Sequence, residues 1–108
     1  MIAAEEFVVR ARIDDVVLTS WIEAGWLRPS QLGEAREFTE IDLARAEFIA
    51  VLDRDLGLNN EGISVALDLV DQIHGVRRVL RELLEAVRAQ PEEMQTSIFS
   101  AARDARRR

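Results

Sequence analysis

The side chains that could do chemistry are few and widely separated along the chain. Cysteine and tyrosine are absent, His74 is the only histidine, and there is neither a glycine-rich phosphate loop nor a metal-ligand spacing. The adjacent carboxylates of Asp14 and Asp15 could act as an acid/base pair or hold a cation, but at a helix start such a pair caps the helix. We therefore predict no catalytic residue, no metal and no cofactor, and we expect that the protein is not an enzyme.

Three further side chains have a functional and a structural interpretation. Trp21 and Trp26 could stack on nucleic-acid bases, yet Trp21 falls on the inner side of a predicted helix and Trp26 just beyond its end. We predict that both pack in the core. His74 lies beside an apolar stripe, where it could be a pH-sensitive contact or a partly buried side chain without function, and we assign it to no site.

Composition limits the partners and the compartment. The 108 residues carry 20 acidic and 14 basic side chains, a formal net charge of -6, so the surface should repel phosphate and favour a basic partner. There is no cysteine, no apolar signal segment after Met1, and no apolar run near the roughly 18 residues of a membrane helix. We expect a cytoplasmic protein that binds neither a membrane nor, in general, nucleic acid.

The first two helices are predicted from their caps and apolar spacing. A short helix around Ile2 to Arg10 would turn Phe7, Val8 and Ala11 inward. Asp14 is then placed as the N-cap of a second helix, with Asp15 in its first turn where the helix dipole favours an anion. That helix should end near Ala24, because Gly25 suits a left-handed cap.

A small wing and a third helix follow. Gly33, within Ser30 to Glu37, suits a turn between two short extended pieces. Thr39 and Asp42 form a capping-box pattern at the start of a helix that should run to about Asp55, closed by Leu56 and Gly57. The inner stripe of this helix should include Leu43, Ala46, Phe48 or Ile49, and Leu52.

A long amphipathic helix forms the next part of the chain, with Asn59 or Asn60 as its cap. Its apolar spacing alternates between three and four residues, and Arg77 interrupts it. About seven turns of apolar surface exceed what so small a domain can cover, so we predict a homodimer. The predicted dimer interface contains Ile63, Ala66, Val70, Ile73, Arg77, Leu80, Leu84 and Val87.

These elements predict a mainly all-α fold. Residues 1–58 should form a winged helix-turn-helix with a tiny β-wing, residues 59–90 the long dimerisation helix, and residues 91–108 a short helix or a flexible basic tail. Parallel and antiparallel pairing of the long helix would bury the same stripe, so the sequence leaves the dimer geometry open.

The chain resembles the chaperone-modulator family typified by CbpM, which is itself similar to the helix-turn-helix of MerR-type regulators. The resemblance rests on "GWLRP", "FTEIDLARA" and "LGLNNEGISVALDLVDQI", and the first two are shared with MerR proteins generally. It covers roughly residues 6 to 84. It implies binding to the J-domain of a CbpA-like co-chaperone, most simply by covering the surface that the J-domain offers to its DnaK-type partner.

The alternative is a MerR-like DNA-binding transcriptional regulator. A recognition helix needs exposed base-reading side chains and several phosphate contacts, and the arginines available for them are interspersed with glutamates. These arginines are Arg10, Arg12, Arg28 and Arg36. Arg12 also stands where such a turn commonly holds glycine, which leaves a different turn geometry open and weakens the DNA-binding alternative more than the protein-binding one.

An acidic surface suits the basic J-domain face that the resemblance implies. Our first candidate patch lies on the long helix at Glu61, Asp68 and Asp71, and a second lies on the helix-turn-helix at Asp14, Asp15 and Glu23. Solubilising charges opposite a core stripe would give the same pattern. A scaffolding dimer without a regulated partner also stays open.

Overall fold

The structure is a computed structural model that describes residues 1–107. The chain separates into two compact units, which we call the N-terminal unit, Met1–Asp68, and the C-terminal unit, Leu69–Arg108. The sequence placed the domain boundary between residues 58 and 59, at the start of the long helix. In the structure the division falls within that helix, because its first turns are used in the core of the N-terminal unit.

The N-terminal unit begins with a strand rather than a helix. β1 is Ile2–Ala3, and it is followed by α1, Ala4–Ala11. We predicted that the first helix would start at Ile2, but Ile2 instead pairs with Phe38 in a sheet and is buried. The predicted inner side chains Phe7 and Ala11 are buried, and Val8 packs against the core from a partly exposed position.

The helix-turn-helix consists of α1 and α2, Asp15–Glu23. Between them Arg12 adopts a left-handed conformation, with φ 60° and ψ 44°. This corrects the expectation of a different turn geometry, since Arg12 reaches the conformation that usually selects glycine. Asp14 is the N-cap and accepts a hydrogen bond from the Val17 amide at 2.8 Å, and Gly25 has the predicted positive φ, 79°.

The wing is a hairpin within a three-stranded antiparallel sheet. β2, Ser30–Leu32, pairs with β3, Ala35–Phe38, and Leu32 lies opposite Ala35 across the predicted turn at Gly33. The strand order is β1-β3-β2. The predicted wing is therefore confirmed, with β1 as an additional strand that ties the start of α1 to it.

α3 is Glu40–Ala50, and its start matches the sequence pattern. The Thr39 hydroxyl accepts a hydrogen bond from the Asp42 amide, and the Asp42 carboxylate accepts one from the Thr39 amide, which completes the capping box. The helix does not continue to Asp55 as an α-helix. It widens into one turn of π-helix, Val51–Asp55, which we call the π-turn.

One hydrophobic core lies within the N-terminal unit. The rings of Phe7 and Phe38 stack with their centroids 4.0 Å apart, and those of Trp21 and Trp26 lie 6.5 Å apart. The indole nitrogen of Trp26 donates to the Ser64 hydroxyl at 2.9 Å. The buried side chains are Ile2, Phe7, Ala11, Leu18, Trp21, Trp26, Leu27, Phe38, Leu43, Ala46, Ile49, Leu52, Ile63 and Leu67.

Two helices account for most of the described residues after the π-turn. α4, Asn60–Arg88, begins in the N-terminal unit and continues into the C-terminal unit, and α5 is Glu92–Arg106. Residues 91–108 were predicted as a short helix or a flexible tail, and Glu92–Arg106 form a helix, while position 108 lies outside the described residues. The side-chain amide of Gln95 donates to the carbonyl oxygens of Gln90, at 2.8 Å, and Arg88, at 3.3 Å, and so links α5 to the end of α4.

No helix in residues 1–107 combines the length and the apolar character that crossing a membrane requires.

Candidate partner-binding surface

The exposed face of α2 is short and acidic at both ends, with the apolar Val16 next to Asp15 and the hydroxyl side chains of Thr19 and Ser20 in the middle. Asp15, Val16, Thr19 and Glu23 are exposed, and the Val16 side chain is 78% accessible. Leu18 and Trp21 turn into the core, as predicted for Trp21. Since α2 contains no arginine or lysine, it lacks the side chains that most often read guanine in a major groove.

Asp14 differs from the other two acidic residues of the predicted second patch. Its carboxylate is bound to the Val17 amide as the helix cap, whereas Asp15 and Glu23 lie exposed at opposite ends of α2. Together with Val16, Thr19 and Ser20, these two line a shallow depression. The structure therefore gives Asp14 a structural role, and it leaves Asp15 and Glu23 on the accessible surface.

The arginines considered for phosphate binding lie on different elements. Arg10 forms a two-point ion pair with Glu40 at 3.1 and 3.0 Å. The hydrogen bond to Glu40 raises the pKa of Arg10, against a smaller lowering by desolvation. Arg12, Arg28 and Arg36 are exposed in the helix-turn-helix turn, the segment before β2, and β3.

The acidic residues of the first predicted patch are all on α4. Glu61, Asp68 and Asp71 are exposed. Glu61 lies in the first turn, where its charge stabilises the helix dipole, and the actual cap is Asn59, whose side-chain oxygen accepts from the Gly62 amide at 2.8 Å. The three carboxylates lie on the helix that was predicted to carry them.

The predicted dimer interface needs one correction. Ile63 is 1% exposed within its own chain and Ala66 packs against the same core, so Ile63 offers no surface to a second copy. Beyond Asp68, one stripe of α4 is mostly exposed and apolar, and we call it the α4 seam. It contains the exposed Leu69, Ile73, Val76, Leu80 and Leu83 and the half-buried Val87.

The α4 seam accounts for Arg77, the polar residue that interrupts the apolar spacing of the predicted long helix. Its members are four, three, four, three and four residues apart, without a polar member. Ile73, Leu80 and Val87 belong to both the seam and the predicted interface, and Leu69, Val76 and Leu83 belong to the seam alone. Val70 and Leu84 are half-buried, and the dimer interface stays a prediction. Arg77 is exposed and borders the seam rather than breaking it.

Sequence reasoning missed a second exposed apolar surface, on the N-terminal unit. Phe48, Val51, Leu56 and Leu58 keep 36, 43, 65 and 36% of their surface accessible, and we call these four residues the π-turn patch. The Leu56 amide bonds to the Val51 carbonyl, and the Leu58 amide to that of Leu52. The signal was the apolar density of "FIAVLDRDLGL", which one α-helical stripe cannot bury.

Within residues 1–107 no three histidine, cysteine, aspartate or glutamate side chains are grouped so that they could hold a metal ion. His74, the one histidine, is exposed on α4. The interpretation of His74 as a partly buried side chain therefore does not hold within its own chain.

The order α1, turn, α2 and β-hairpin, followed by α3 and a long helix, defines a winged helix-turn-helix protein. Residues 2–85 match the model of the MerR HTH family regulatory proteins. The chain belongs to this family of regulatory proteins. Comparisons with curated proteins and with solved structures found no match.

Proposed function

We propose that this member of the MerR family regulates by binding a protein, as a CbpM-like modulator of a J-domain co-chaperone. The observation that carries the proposal is the exposed face of α2. It presents Asp15, Val16 and Glu23 where a DNA-binding relative needs basic and amide side chains. Such a face suits a basic, partly apolar protein surface, and it repels a phosphate backbone.

The charge of the whole N-terminal unit supports the same proposal. Residues 1–68 contain 14 acidic residues and 6 arginines, a formal charge of -8, whereas residues 69–108 contain 6 acidic residues and 8 arginines, a formal charge of +2. The acidic field is therefore concentrated on the winged helix-turn-helix. A basic J-domain face would be steered towards it, and binding there would keep the J-domain from its chaperone partner. In this proposal the protein is a cytoplasmic inhibitor without catalytic activity.

The test is calorimetric titration of an isolated CbpA-type J-domain into the wild-type protein and into charge-reversal variants. One variant is Asp15→Arg with Glu23→Arg, and the other is Asp68→Arg with Asp71→Arg. The matched control is Glu92→Arg with Glu93→Arg on α5, which changes the net charge equally but lies in the C-terminal unit. Asp14 is left unchanged because its carboxylate caps α2.

We expect the α2 reversal to weaken binding at least tenfold and the control to weaken it less than threefold. Charges at an interface rim change the association rate and its salt dependence, whereas loss of one member of a buried pair costs about 2 to 5 kcal/mol. A loss confined to the Asp68 and Asp71 variant would move the contact to α4. No binding by the wild-type protein, or equal loss in all three variants, would contradict the proposal.

The second candidate is a DNA-binding transcriptional regulator, which family membership and the complete wing favour. It requires Arg12, Arg28 and Arg36 to contact phosphates despite the acidic residues around them. Titration of a labelled duplex at about 150 mM salt separates the two, because non-specific contacts give dissociation constants of about 1 to 100 μM. Nanomolar binding to a particular duplex would favour this second function.

A further inference from the structure

The π-turn patch continues onto the first turns of α4. The side chain of Leu58 lies over Gly62, since a Cβ atom placed on that glycine would be 3.4 Å from the Leu58 Cδ2 atom. Val65 follows Gly62 by three residues, which places it on the same face of the helix, and it is 59% exposed. The patch and Val65 thus form an apolar surface where the π-turn is joined to the start of α4, within the N-terminal unit.

The edge of this apolar surface is anionic. Glu47, Asp53 and Asp55 are exposed, and each lies one or two residues from a member of the patch. From residue 46 to residue 76 the chain has one arginine and no lysine, and that arginine, Arg54, donates to a backbone carbonyl in the turn of the helix-turn-helix. Neither Asp53 nor Asp55 forms an ion pair in the part of the chain that the structure describes.

The backbone at this surface is helical and offers no strand edge. The amides of Leu56 and Leu58 are bonded to carbonyls of the π-turn, so a bound segment cannot extend a sheet here. Such a segment has to satisfy its own backbone hydrogen bonds, and a helix does so. An amphipathic helix lays apolar residues spaced i, i+3, i+4 and i+7 on a surface of this kind.

We propose that the π-turn patch, together with Val65, is a docking surface for an amphipathic helix of a partner protein, with lysines or arginines beside its apolar stripe. The apolar stripe would cover the patch, and the basic side chains would meet the anionic edge. The homodimer interface predicted from the sequence contains none of the four patch residues. The proposal is also separate from J-domain binding, which we assign to α2.

A designed peptide provides the probe. It has about 18 residues, enough for a helix to form on binding, with leucine at helical spacing on one face and lysine on the other. A matched peptide carries glutamate in place of every lysine. By fluorescence anisotropy at about 50 mM salt, where charges are weakly screened, we expect the lysine peptide to bind with a dissociation constant on the order of 10 μM. The glutamate peptide should bind at least tenfold more weakly.

Two serine variants test the apolar part of the surface. Val51→Ser with Leu56→Ser acts on side chains that are 43 and 65% exposed. The control, Val9→Ser with Leu32→Ser, replaces the same two residue types at positions that are 74 and 66% exposed on α1 and β2. The patch variant should weaken binding of the lysine peptide by about fivefold or more, and the control should stay within about twofold. Circular dichroism checks that both variants fold.

Neutralised carboxylates test the edge. Asp53→Asn with Asp55→Asn removes two charges beside the patch, and Glu92→Gln with Glu93→Gln removes two from α5. The first variant should weaken the lysine peptide by about fivefold or more and the second by less than about twofold, and the difference should shrink as salt screens the charges.

Any of three results would overturn the proposal. The first is a lysine peptide that binds no more tightly than the glutamate peptide up to about 100 μM. The second is an equal effect of each patch or edge variant and its control. The third, by sedimentation, is self-association that the Val51 and Leu56 variant loses and the Val9 and Leu32 variant keeps, which would assign the patch to a second copy of this chain.

Discussion

The guanidinium of Arg54 donates a hydrogen bond to the carbonyl oxygen of Arg12 over 3.1 Å. A residue of the π-turn thereby holds the turn of the helix-turn-helix, 42 residues earlier in the chain. The carbonyl belongs to the one residue other than glycine that has a positive φ among residues 1–107.

Replacing Arg12 by glycine should therefore stabilise the fold. A left-handed residue with a side chain costs roughly 1 to 2 kcal/mol, and part of this gain is offset by the greater freedom of glycine in the unfolded chain. We expect the free energy of unfolding to rise by about 0.5 to 1 kcal/mol, measured by urea denaturation. Arg12→Ala keeps the strain and is the control, so a glycine variant less stable than the alanine variant would contradict this account.

The hydrogen bond between Trp26 and Ser64 gives a second prediction. The indole nitrogen of Trp26 is part-buried, and Ser64 is the acceptor that the structure provides for it. Ser64→Ala should lower the free energy of unfolding by about 1 to 3 kcal/mol, the usual cost of a buried donor left without a partner. Ser97→Ala, which removes an exposed bond to a carbonyl one turn back on α5, should change it by less than about 0.5 kcal/mol.

The capping box at the start of α3 gives a third prediction, about the stability of the fold. Thr39→Ala should cost about 0.5 to 2 kcal/mol of stability, since it removes the acceptor of the Asp42 amide. Asp42→Ala removes the reciprocal bond. Because the two hydrogen bonds belong to one capping box, the free energy of unfolding of the double variant should fall by less than the sum of the two single decreases. Chemical denaturation measures all three values. Strict additivity would mean that the two bonds act independently.

Leu80→Asp tests dimerisation through α4. Leu80 is 54% exposed in the single chain, so an aspartate there should leave the fold intact while placing an unpaired charge in the proposed seam, at a cost of several kcal/mol. Sedimentation should report a monomer. The control is Ile41→Asp on α3, and a dimer that survives Leu80→Asp with wild-type affinity would place the interface elsewhere.

The sequence predicted the elements whose signals are local. The caps at Asp14 and Thr39, the left-handed cap at Gly25, the turn at Gly33 and the break before α4 depend on a few adjacent residues, and all of them were found. β1 was missed because pairing Ile2 with Phe38 spans 36 residues. An apolar pair at that separation has no local pattern, and "IAAEEF" is compatible with a helix.

The candidate surfaces were predicted less completely. The exposed position of Asp15 and Glu23 followed from helical periodicity, but Ile63 was assigned to a dimer because periodicity does not say which part of a long stripe its own domain covers. The π-turn shifts the helical phase after Ala50 by one residue. Leu56 lies four residues after the buried Leu52 and would face inward on a continuous α-helix, so the shift accounts for its exposure, whereas Val51 follows the exposed Glu47 and Phe48 at ordinary helical spacing. No propensity scale for single residues contains such a shift.

The two tryptophans have a consequence for how unfolding can be followed. Trp21 and Trp26 both lie in the N-terminal unit, 6.5 Å apart, and the chain has no tyrosine. Intrinsic fluorescence excited at wavelengths that select tryptophan therefore monitors that unit alone, whereas far-ultraviolet ellipticity also measures α4 and α5. Recorded on one denaturant series, the two optical signals would give a single midpoint if the chain melts in one cooperative step, and two midpoints if Leu69–Arg108 melts separately.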